Sequence, residues 1–63
     1  MRETFLLDIN FEGTDTVDTV YIPRGALHES VTKIGIGLCE LSADEINITV
    51  YNAVGQSIME VDF

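Results

Sequence analysis

Residues 25–41, GALHESVTKIGIGLCEL, decide which fold the chain can take. Leu27, Val31, Ile34, Leu38 and Leu41 recur at spacings of four, three, four and three, which lays one continuous apolar stripe along a helix. Gly35 and Gly37 oppose this, since each costs about 1 kcal/mol relative to alanine inside a helix. Ile36 also falls on the far side of the stripe. The competing reading makes 32–40 a strand with Ile34, Ile36 and Leu38 on one face. Five periodic positions outweigh two propensity penalties, so the spacing predicts a helix. Gly35 then marks where its backbone comes close to the layer it covers.

Outward from this segment, the pattern changes to a period of two. Before it, Phe5, Leu7, Ile9 and Phe11 alternate with Thr4, Leu6, Asp8 and Asn10, the signature of a strand with one buried face. Glu12-Gly13-Thr14-Asp15 has turn chemistry. A second strand runs from about Thr16 to Ile22 and stops at Pro23, which cannot donate to a ladder. Its facing is ambiguous, because Val17, Thr19 and Tyr21 compete with Val20 and Ile22.

After the helix, Ser42-Ala43-Asp44-Glu45 has the form of a capping box. The alternating run Ile46–Tyr51 that follows makes it a loop instead. Asn52–Gln56 reads as a hairpin turn around Gly55. Ser57–Phe63 is a last strand with Met59, Val61 and Phe63 inward and Ile58, Glu60 and Asp62 outward.

The resulting fold class is α+β: a four-stranded, mostly antiparallel sheet with one helix packed on one face, in the order strand, strand, helix, strand, strand. The whole chain, 1–63, forms one small acidic domain. This element order resembles the β-grasp layout of small bacterial immunoglobulin-binding domains and ubiquitin-like proteins. The likeness is one of order alone and implies no function. With two hairpins around a helix, the first and last strands are expected as central neighbours.

Charge narrows the function classes. Eleven acidic residues face three basic ones (Arg2, Arg24, Lys33), for a net charge of -8. Such a field repels phosphates and anionic lipid, so direct contact with nucleic acid or a membrane surface is disfavoured. No apolar run approaches the roughly 20 residues of a membrane span. Cys39 is the single cysteine, and Met1-Arg2 leads straight into a strand-like pattern without an apolar signal region. Both point to a reducing, cytoplasmic setting.

Catalytic chemistry finds little support. On a helix, His28 and Cys39 are eleven residues apart, roughly 16 Å along the axis, too far for a thiol–imidazole pair. Cys39 reads as a small packing residue and His28 as a solvated one. Asp15 with Asp18, and Asp44 with Glu45, match no calcium loop, and zinc spacing is absent. Gly35-Ile36-Gly37 carries two glycines of a dinucleotide fingerprint but not the third. No enzyme, metal or cofactor is expected.

What is left is a surface. Leu6, Asp8, Tyr51, Ile58, Glu60 and Asp62, joined by Thr49, are expected to share the open face of the sheet. Carboxylates mixed with tyrosine and aliphatic anchors form the kind of face that binds another protein. The expected partner is a protein with a basic surface, and one version of this is an inhibitor whose carboxylates stand in for phosphates. Phage-encoded antagonists of host enzymes resemble this chain in size and charge. The alternative is a structural subunit that completes its small core as a homo-oligomer, a homodimer being the simplest case.

Overall fold

The computed structural model describes residues 1–41 and 45–63. Its elements follow the expected order: β1 (Arg2–Phe11), β2 (Thr14–Pro23), α1 (Leu27–Leu41), β3 (Ile46–Tyr51) and β4 (Ser57–Asp62). They form a four-stranded antiparallel sheet with one helix between β2 and β3. Residues 32–40 are helical, as the periodicity predicts. The capping-box reading falls on Ser42, Ala43 and Asp44, which lie outside the described residues.

The strands are arranged β2-β1-β3-β4. The expectation that the first and last strands lie side by side is therefore corrected: β1 pairs with β3, and β4 is an edge. Since β2 and β3 are both antiparallel to β1, they run parallel to each other with β1 between them. A helix is long enough to carry the chain from one to the other across β1, and α1 contacts β2 and β3 in doing so. The β-grasp likeness thus ends at the order of elements.

The first hairpin is tighter than its sequence implied. Phe11 pairs with Thr14, leaving a two-residue turn in which both Glu12 (φ 53°) and Gly13 (φ 76°) take positive φ. This is the I′ arrangement, whose twist matches that of the flanking strands. Consequently β2 begins at Thr14 and pairs with β1 along all ten positions, whereas β3 pairs only with Leu6–Phe11.

Alternation places Phe5 and Leu7 under the helix with Ile22, Ile46, Ile48 and Val50, and Val31 meets them from α1. Phe11, Val20, Ile34, Met59, Val61 and Phe63 pack around this centre, half-buried. The facing of β2 is resolved: Val20 and Ile22 turn inward, Val17, Thr19 and Tyr21 outward. One expectation for the helix comes out differently. Ile36 is exposed, as its place off the stripe requires, but Leu41 is 87% exposed rather than buried. It sits on the last helical turn, where it lines one wall of an apolar crevice with Leu38, Ile9 and Phe11. Among the described residues, no helix is long and apolar enough to cross a membrane.

Candidate functional site: the open face of the sheet

Residues directly opposite on paired strands share a face, so the register lays out the uncovered side in rows. One row reads Thr19, Leu6, Tyr51 and Ser57 across β2, β1, β3 and β4. The next is Val17, Asp8, Thr49 and Glu60. The third is Asp15, Asn10, Asn47 and Asp62. Tyr21 extends the first row's apolar end opposite Thr4. Ile58 is the extra residue where the β3–β4 register shifts beside Tyr51, and it is exposed.

All six residues expected on this face are on it, but their neighbours differ from the expectation. Asp8 does not sit beside Glu60. Thr49 of β3 lies between them, about 10 Å across two strand spacings. Like charges are thereby kept from facing each other directly across neighbouring strands. The interleaved side chains are donors: Asn47 Nδ2 donates to Glu60 Oε2 at 3.0 Å and to Asp62 Oδ1 at 2.6 Å. Asn10 Nδ2 donates to Asp15 Oδ1 at 2.7 Å, and Thr49 Oγ1 donates to Asn47 Oδ1 at a long 3.4 Å.

Asp8 is the exception. Its Oδ1 is sealed from solvent with no hydrogen-bond partner among the described residues. A polar oxygen in that state costs free energy that a partner donor would recover.

The face is polarised along the strands. Leu6, Tyr21, Tyr51 and Ile58 gather at one end, Asp15, Asn10, Asn47 and Asp62 at the other, and Asp8 and Glu60 lie between. The chain's cations stand away from the acidic end. Arg24 pairs with Glu3 at 3.6 Å beyond the apolar end, and Lys33 pairs with Glu29 at 3.2 Å on the helix. Tyr21 is 66% exposed at the apolar end, and Val17, 61% exposed, stands beside Asp8 in the middle row.

Sequence reasoning turned Asn10 outward without counting it in the site, and it did not place Asp15, Asn47, Val17 or Tyr21 on this face. Asn10 and Asn47 were legible from alternation alone. Val17 and Tyr21 were not, because both faces of β2 carry β-branched or aromatic side chains. Away from the sheet, Cys39 packs half-buried against the core, while His28 is exposed on the first turn of the helix. No cluster of three or more His, Cys, Asp or Glu side chains suited to a metal ion occurs among the described residues. Comparison with protein-family models, with curated proteins and with solved structures returns no match.

Proposed function

We propose that this chain is a cytoplasmic, acidic protein-binding module that acts by docking its open sheet face on a basic surface of a partner protein, without catalysis. The observation supporting this reading is one uncovered face that joins four carboxylates (Asp8, Asp15, Glu60 and Asp62) to the apolar side chains of Leu6, Tyr21, Tyr51 and Ile58. The carboxylates draw a basic partner in and fix its orientation, and the apolar end supplies the contact area that holds it. In the inhibitor version of this function, the basic surface is one that otherwise binds nucleic acid. The carboxylates, held on paired strands by Asn47 and Asn10, then occupy the places of phosphates.

The deciding experiment is affinity capture from lysate at low salt, repeated near 1 M salt and with a Glu60→Lys/Asp62→Lys variant. A partner that is released by salt and no longer retained by the variant supports the reading. Binding indifferent to both sinks it.

One observation favours the homo-oligomer as second reading: the outer edge of β2 is unpaired along ten residues, a template for strand pairing. Asp18 near the middle of that edge opposes self-pairing, since two copies would bring like charges together. Sedimentation over a dilution series decides, because a chain that stays monomeric at every concentration removes this reading.

A further inference from the structure

We propose that Asp8, with Tyr51 diagonal to it on the neighbouring strand, is an arginine subsite at the centre of the open face. This deepens the binding reading above and rests on it.

The argument begins with the donors available to Asp8. Its lateral neighbours are Val17, which has none, and Thr49, whose hydroxyl proton is directed to Asn47. The amides of Asn10 and Asn47 are committed to Asp15, Glu60 and Asp62. Every other carboxylate in the two polar rows therefore receives a donor from within the sheet, while Asp8 retains a sealed oxygen without one. Its side chain as a whole remains partly open to solvent. The site lacks an internal donor, and an incoming one meets the carboxylate where the side chain is open to solvent.

The surroundings select the chemistry of that donor. Tyr51 lies opposite Leu6, one diagonal from Asp8, roughly 7–8 Å away and within reach of a long side chain. A planar guanidinium fits such a place: it forks onto a carboxylate while lying against an aromatic ring. Its aliphatic stem covers Leu6 and Val17, which are exposed on either side. An ammonium offers the charge but neither the fork nor the plane. The net charge of -8 supplies the long-range attraction, and this subsite supplies the discrimination. The occupant is an arginine-bearing segment of a partner protein.

The probe is a blocked pentapeptide of alternating leucine and arginine, with lysine and citrulline counterparts, titrated into the ¹⁵N-labelled full chain at low salt. The arginine peptide is expected to shift the amides of Leu6, Asp8, Val17, Thr49 and Tyr51, at least about fivefold more tightly than the lysine peptide, with citrulline inert. Asp8→Asn, close in shape and checked for folding by its amide spectrum, is expected to weaken the arginine peptide about tenfold, the loss of a charge-assisted hydrogen bond. Tyr51→Leu is expected to weaken the arginine peptide and leave the lysine peptide unchanged. Equal affinity for arginine and lysine, or an Asp8→Asn variant that binds as the parent does, overturns the subsite. If Glu60→Gln and Asp62→Asn weaken peptide binding in that case, the broader binding reading survives alone. If no cationic peptide binds at all, both fall.

Discussion

The ring of Phe63 lies against the backbone of Gly35, filling the space that a Cβ at that position would need. Phe63 is held there by its own backbone, its N–H donating to the Ile46 carbonyl at 2.8 Å. The close approach expected of Gly35 is thus made to the end of the sheet's outermost strand. Gly37, one turn-fraction further along, has nothing near the corresponding position. Gly35→Ala is expected to destabilise the fold by about 1–3 kcal/mol through overpacking, despite the helix propensity it gains. Gly37→Ala is expected to stabilise by up to about 1 kcal/mol. Urea denaturation followed by circular dichroism measures both. Equal effects at the two glycines would show that Phe63 does not dock on the helix.

Leu7 is fully buried at the junction of β1, β3 and the helix. A chain of 63 residues has a small core, so one deleted side chain is a large fraction of its stability. Leu7→Ala is expected to cost about 2–5 kcal/mol and leave a substantially unfolded chain at 37 °C, whereas Ile48→Val costs about 0.5–1.5 kcal/mol. Thermal melts distinguish the two. A Leu7→Ala variant with an unchanged melting temperature would place the core elsewhere.

Much of this architecture is legible from local pattern. Alternation identifies β1, β3 and β4 and their inward faces, because each turns one side to the core and the other to water. The helix is legible because five of its positions keep one period, though Leu41 runs past the layer it would cover. Strand adjacency is not legible. A β1 beside β3 and a β1 beside β4 satisfy the same alternation, and only the path of the helix across β1 separates them. The outward set Leu6, Asp8, Tyr51, Ile58, Glu60 and Asp62 follows from parity alone. The unmet need of Asp8 does not, since it depends on β2 bringing Val17 and β3 bringing Thr49 to its two sides.

That unmet need has a stability consequence. Asp8 stands between Val17 and Thr49 on a central strand, a place where a β-branched apolar residue would pack well and seal no carboxylate oxygen. Asp8→Val is expected to raise stability by about 1 kcal/mol, while abolishing the docking proposed for this face. A gain in the urea midpoint together with lost binding marks Asp8 as a residue held at a cost for recognition. A loss of stability would show that the aspartate is instead satisfied within the fold.

Salt is expected to strengthen the folded state and weaken the bound one. The folded chain confines a net charge of -8 within extents of 34 × 19 × 15 Å, and at about 10 mM salt the screening length of roughly 30 Å leaves that repulsion almost whole. Near 150 mM it shortens to about 8 Å, so repulsion between the acidic end of the sheet and the helix carboxylates is largely removed. Salt also weakens the ion pairs Arg24–Glu3 and Lys33–Glu29, but both are exposed and contribute little. The sign is therefore set by the repulsion, and the melting temperature is expected to rise by several degrees, as about 1 kcal/mol does in a domain of this size. Sodium chloride rather than sulfate keeps surface-exclusion effects out of the comparison. A melting temperature that falls with added chloride would mean that attractive pairs dominate the folded state and that the carboxylates are not displayed as surplus charge.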